Sequence, residues 1–208
     1  MAKVKICGLA NYNDSLDATN LGADFLGFHF IKESPKKVSE KMVIDIVSKL
    51  PPFVIPVGVF ADADQKLIEK TIKKCGLKNV QFNGIEAPEF CAAAKAALGV
   101  KVFKFFKLEN ESDAEKLSLY AGNVDYFVLD VSYLDGETVK HNFELAAKAV
   151  NLNVPVFVSG RITPEEVKEA LEKVAPYGVD ADGGIERLPK RKDYDKMNNL
   201  IRYAHGLK

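Results

Sequence analysis

Two side chains stand where short apolar runs stop. Cys7 closes Val4-Lys5-Ile6-Cys7, and Asp130 closes Tyr126-Phe127-Val128-Leu129-Asp130. A thiol works as a general base or nucleophile when its pKa is lowered. Lys5 lies two residues before Cys7, on the same face of an extended chain, where an ammonium group can lower that pKa. The plainer reading makes Cys7 a small buried apolar side chain, the commoner fate of a free cysteine. An acid after four apolar residues is out of place as an ordinary surface charge. If burial raises its pKa, Asp130 can serve as a general acid. The plainer reading makes it a structural acid capping a neighbouring loop.

Two later runs end in glycine-bearing turns, Ser159-Gly160-Arg161-Ile162-Thr163-Pro164 and Asp182-Gly183-Gly184-Ile185-Glu186. Such glycines expose backbone N–H groups to a phosphate, or serve turn geometry alone. His29, in Gly27-Phe28-His29-Phe30, is of a type that titrates near neutral pH; a packed, hydrogen-bonded ring is the expectation. With no second His or Cys cluster beside it, no metal site is expected. His141 and His205 are expected on helix or loop surfaces. Cys75 and Cys91 fall in helical or connecting segments, and Phe103, Phe105 and Phe106 suit core packing.

Something must hold these groups at run ends. Apolar runs recur at 4–7, 25–30, 54–60, 80–82, 100–105, 126–131, 154–158 and 178–181. Most lack polar alternation, as strands buried on both faces do. Between them lie segments with helical spacing, at 13–21, 39–50, 64–74, 87–98, 112–120, 142–150, 163–174 and 192–205. Thr163-Pro164-Glu165-Glu166 is the clearest helix start, and Asn11 or Asn13 and Ser39 are candidate caps. Strand and helix alternate eight times, which predicts an α/β fold: a single (β/α)8 TIM barrel over residues 1–208. A doubly wound open sheet is the rival. In a barrel the active site lies at the C-terminal strand ends. Those ends carry Lys5 and Cys7, His29, Phe60, Gln81 and Asn83, Lys104, Asp130, Gly160 and Asp182.

Lys+Arg and Asp+Glu both total 29, so no net charge draws the chain toward nucleic acid or an anionic membrane. Three cysteines without a CxxC pair suit a reduced compartment. No signal-like run opens the sequence, and none approaches the roughly 18 apolar residues of a membrane span. A cytoplasmic location is the expectation.

The landmarks together resemble the phosphoribosylanthranilate isomerase family across nearly the whole chain. They are Val4-Lys5-Ile6-Cys7-Gly8-Leu9, then Gly22 to Phe30 with Ser34-Pro35-Lys36-Lys37-Val38-Ser39. Next come Pro51-Pro52-Phe53 with Val57-Gly58-Val59-Phe60, Val80 to Gly84, and Phe127 to Asp130. Ser159-Gly160 with Thr163 to Val167, and Gly178-Val179-Asp180 with Gly184-Ile185-Glu186, complete the order. The resemblance implies an Amadori rearrangement of a small phosphorylated substrate in tryptophan biosynthesis, without cofactor or metal, by a monomer or homodimer. It implies Asp130 as the acid that opens the sugar ring and Cys7 as the base that removes the C2′ proton. It implies phosphate held near Gly160, Gly183 and Gly184.

The substrate grip departs from the family pattern. Lys36 stands for an arginine on the anthranilate side, and Asn83 for a histidine. Arg161 replaces the second glycine after strand seven. Asp182-Gly183-Gly184 replaces a serine-rich turn, and the segment 133–143 replaces a glycine-rich loop. Asp182 thus brings a carboxylate to the phosphate position, where Arg161 can offset it or pair with it. Two other readings follow: a diverged relative acting on another sugar or phosphate compound, or a non-catalytic binding protein.

Overall fold

A computed structural model describes residues 1–207. Eight parallel strands form the barrel: β1 (Lys3–Ile6), β2 (Phe25–His29), β3 (Ile55–Phe60), β4 (Asn79–Phe82), β5 (Lys101–Lys107), β6 (Tyr126–Asp130), β7 (Val156–Ser159) and β8 (Gly178–Ala181). Each apolar run of the sequence overlaps one of them, offset by at most two residues at the ends. β1 pairs with β2 on one side and with β8 on the other, so the sheet closes and the open-sheet rival is excluded. The chain has the (β/α)8 barrel fold.

The helices are α1 (Tyr12–Leu21), α2 (Glu40–Val47), α3 (Gln65–Cys75), α4 (Pro88–Leu98), α5 (Glu111–Lys116), α6 (Phe143–Ala149), α7 (Pro164–Val174) and α8 (Tyr194–Ala204). Asn11 caps α1, its side chain accepting from Asp14 N, and Ser39 caps α2, accepting from Met42 N. Thr163 and Glu166 form a capping box at α7, which fixes how the chain leaves β7. The segments expected as helix at 112–120 and 142–150 end in 3-10 turns at Leu117–Tyr120 and Val150–Leu152.

Two antiparallel hairpins had no counterpart in the periodicity. One joins Ser132–Asp135 to Thr138–His141 after β6; the other joins Glu186–Leu188 to Arg191–Lys192 after β8. Both lie at the C-terminal end of the barrel, and both bring side chains to its mouth.

Side chains alternate across each strand. Val4, Ile6, Leu26, Phe28, Phe127 and Leu129 face the helices in the main core. Phe25, Val57, Phe103, Val128 and Phe157 form a second, smaller cluster. Its rings meet edge to face, with Phe25 to Phe103 and Phe25 to Phe157 centroids 5.6 and 5.5 Å apart. This dry layer plugs the barrel interior. Residues two or four places further along the same strands share its face, and they are the polar ones: His29, Asp130 and Ser159. Lys104 has the other parity. It leaves the mouth for Glu86, 3.1 Å away in a buried pair, and Gly84 O, so it is no site residue.

Candidate functional site

Above the aromatic layer, Lys5 Nζ and Asp180 Oδ1 pair at 2.8 Å, and Ser159 Oγ donates to Asp180 Oδ2 at 3.3 Å. The register pairs Lys5 with Asp180 across β1 and β8, so backbone pairing sets the contact. Burial disfavours the Lys5 charge, yet Asp180 and Cys7 together hold its pKa above the usual value.

Cys7, just past β1, is buried beside this pair. Burial pushes its thiol pKa up to about 11; Lys5 opposes the rise, and Asp180 and Asp182 add to it. Lys5 lowers the thiol pKa as expected, but the net shift is upward, which favours the protonated thiol. The reason is burial, which outweighs Lys5, with Asp180 adding to the rise. Cys7 Sγ lies 3.3 Å from His29 Nε2, while His29 Nδ1 lies 3.1 Å from Ser34 Oγ. Burial, the largest cause, pulls the His29 pKa down to about 4; Asp182 opposes it, and Lys5, Lys36 and Lys192 each add a smaller downward pull. A neutral ring fits these contacts, with Nδ1–H donating to Ser34 and Nε2 accepting from the thiol. His29 is packed and hydrogen-bonded as expected, but it touches the candidate base.

Asp130, at the end of β6, receives three donors on Oδ1: Ser132 N at 2.9 Å, Ser132 Oγ at 2.6 Å and Lys107 Nζ at 3.0 Å. It is partly exposed to the mouth. Gly160 (φ 109°) passes so close that a Cβ there would run into Asp130 Oδ1. His141 holds the other side of that turn, its Nε2 at 2.6 Å from Gly160 O and its Nδ1 at 3.0 Å from Glu166 Oε1. The expectation of a surface position for His141 is corrected: its side chain is 2% exposed, because the hairpin 132–141 folds it over β7.

Asp182 does not pair with Arg161. Its Oδ1 accepts from Lys36 Nζ at 2.5 Å and Lys192 Nζ at 2.7 Å. Burial works to raise its pKa, but the two lysines outweigh burial and hold it below the usual carboxylate range. Glu186 Oε1 stands 3.0 Å from Lys36 Nζ, out of line for a hydrogen bond. Arg161, in a left-handed turn (φ 59°), has no ionic or hydrogen-bonded partner among the described residues. Gln81 Nε2 donates to Asn83 Oδ1 at 2.9 Å, leaving the buried Gln81 Oε1 unpartnered.

One cavity of about 680 Å³ collects these groups. Its lining includes Cys7, His29, Lys36, Asn83 and Asp130, and Gly160, Arg161, Asp182, Gly183 and Gly184 from the last two turns. All nine residues picked out from the sequence for catalysis and binding thus open on one space. Sequence reasoning missed Lys107 and Lys192, which sit at strand or hairpin edges with no motif around them, and gave Glu186 no role of its own although it closes the 182–186 turn. A second hollow of about 740 Å³ lies against the first hairpin and shares Asp130 and Arg161 with it. A donor group of the kind a metal needs also converges here: Cys7, His29 and Asp182 bring ligand atoms within 4.8 Å of one another. Its carboxylate arm is held by two ammonium groups and Lys5 stands by its thiol, charges that oppose a bound cation.

Fold and site define a (β/α)8-barrel protein with an acid and a thiol opening on one cavity at its C-terminal mouth. A sequence model of the family described as N-(5′phosphoribosyl)anthranilate (PRA) isomerase matches residues 4–203. The N-(5′-phosphoribosyl)anthranilate isomerase of Pelobacter propionicus is 38% identical over 207 residues, covering 98% of this chain and 96% of that protein. That of Geobacter sulfurreducens is 37% identical over 209 residues, covering 99% and 100%. The crystal structure of phosphoribosyl anthranilate isomerase from Thermotoga maritima superposes with a TM-score of 0.91 at 33% identity over the whole of both chains. A further phosphoribosyl anthranilate isomerase structure, in complex with reduced 1-(o-carboxyphenylamino)-1-deoxyribulose 5-phosphate, gives 0.89 at 32%, again over both whole chains. The chain belongs to the N-(5′-phosphoribosyl)anthranilate isomerase family.

Proposed function

We propose that the protein catalyses the Amadori rearrangement of N-(5′-phosphoribosyl)anthranilate to 1-(2-carboxyphenylamino)-1-deoxyribulose 5-phosphate, without a cofactor, in tryptophan biosynthesis. The observation that carries this reading is the shared cavity: Cys7 and Asp130, on strands three places apart around the barrel, both open into it.

Asp130 gives a proton to the furanose ring oxygen as the C1′–O4′ bond breaks, leaving a Schiff base at C1′. Cys7, as thiolate, takes the C2′ proton, and the freed electron pair forms the enolamine, which tautomerises to the ketone. Substrate and product are isomers, so no external oxidant or reductant enters. Lys5 supports the thiolate by charge. Arg161 and the backbone at Gly160, Gly183 and Gly184 hold the phosphate, Lys36 meets the anthranilate side, and Asn83 hydrogen-bonds the substrate next to Gln81.

Purified protein mixed with freshly generated phosphoribosylanthranilate should quench that substrate's fluorescence faster than its spontaneous decay. A decay rate equal to the blank would sink the reading. No helix among the described residues is long and apolar enough to cross a membrane. The proposed enzyme acts in the cytoplasm as a monomer or homodimer.

A further inference from the structure

The cations at the mouth are not equally available. Lys36 arrives from the loop after β2 and Lys192 from the hairpin after β8. Both end on the same atom, Asp182 Oδ1. Lys192 is fully enclosed and also donates to Asp182 O at 3.0 Å. Glu186 Oε1 lies 3.0 and 3.6 Å from the two ammonium groups. Two positive and two negative charges cancel, and of the cations lining the cavity among the described residues Arg161 remains without an acidic partner. Position 8 is fitted to this arrangement. Gly8 (φ 68°) has no side chain, and a Cβ there would strike Asp182 Oδ1 and lie 2.7 Å from Lys36 Cδ.

We propose that Asp182 is an internal anion that occupies the lysine pair Lys36–Lys192 and so sets how tightly the mouth takes the acidic group of a substrate. The inference rests on the isomerase reading for the nature of that group, a phosphate or an aryl carboxylate. An incoming anion must draw Lys36 away from Asp182 or settle on Arg161. Only molecules with the Lys36–Asp182 bond open present that ammonium group, and apparent affinity falls with their fraction. Asp182 is thus a specificity-determining residue: it weakens binding of the anion without touching the bonds that react.

The test is calorimetric titration of the full chain with inorganic phosphate and, separately, with anthranilate. Wild type is compared with Asp182→Asn, Asp182→Ser, Lys36→Gln and the Lys36→Gln/Asp182→Asn double variant. Either Asp182 variant should bind one of the anions about tenfold or more tightly than wild type. Adding Lys36→Gln should abolish that gain. A gain for phosphate alone assigns the pair to the phosphate, and for anthranilate alone to the carboxylate. Unchanged or weaker binding of both anions by a folded Asp182 variant overturns the proposal. So does a gain that survives Lys36→Gln. Wild type that fails to turn over phosphoribosylanthranilate while Asp182→Asn gains affinity would remove the isomerase reading alone. Turnover without the gain would remove this proposal alone.

Discussion

Lys5 and Asp180 meet at 2.8 Å with side chains 0% and 5% exposed, Lys5 lying two residues before the candidate base Cys7. Neither has water to fall back on. Removing one partner leaves the other charge buried and unpaired, which costs about 3–5 kcal/mol, whereas replacing both with apolar residues is often close to neutral. Asp180→Asn is therefore expected to destabilise the barrel by that amount, and Lys5→Met/Asp180→Leu by much less. Urea unfolding followed by circular dichroism measures both, and equal losses in the two variants would refute the argument.

The same pair controls the thiol. Burial pushes Cys7 up to about 11, Lys5 pulls against it, and Asp180 adds to it. A base acts in its deprotonated form, so kcat/KM should climb with pH on the alkaline side toward that value. Lys5→Met should move the Cys7 titration further up, and Asp180→Asn should bring it down. The pH dependence of Cys7 alkylation, read on its own peptide by mass spectrometry, separates the two. Shifts in the same direction would contradict the opposing roles of Lys5 and Asp180.

The barrel was legible because its strands are apolar on both faces and its helices carry plain starts such as Thr163-Pro164. The positions of Cys7 and Asp130 at the mouth were legible because each ends an apolar run, and strand ends of a barrel open on its mouth. The hairpins at 132–141 and 186–192 were not. They are short, polar and mostly outside the core, so no periodicity marks them. That is why Lys192 was missed and why His141 was expected at the surface. The partner of Asp182 was open for a different reason. Arg161 is close in sequence logic, but Lys36 and Lys192 converge only once β2 and β8 lie on either side of β1.

His29 predicts an acid limb of stability. Burial holds its folded pKa at about 4, below the ordinary 6.5, so the fold favours the neutral ring. That contribution is complete above pH 6.5 and is lost as pH falls toward 4. A shift of this size corresponds to at most about 3 kcal/mol. His29→Gln has no ring to charge, so its stability should fall less than that of wild type between those pH values. Urea midpoints at neutral pH and near pH 4 check this, and parallel losses in both proteins would show that His29 is not the group responsible.

Gly160→Ala tests whether the turn after β7 positions Asp130. Two costs act at once. Position 160 has φ 109°, which a side chain resists, and the new Cβ would run into Asp130 Oδ1. The carboxylate can yield only by leaving Ser132 and Lys107, its three donors. A misplacement of about 1 Å can lower a rate about a hundredfold. Gly160→Ala should therefore depress kcat by at least about tenfold, with a smaller effect on KM. Asp130→Asn should lower kcat further and make Gly160→Ala nearly silent, since the two act through one group. If the losses instead multiply, Gly160 serves substrate binding independently of Asp130, and its place in the phosphate turn becomes the better account of why no side chain is present there.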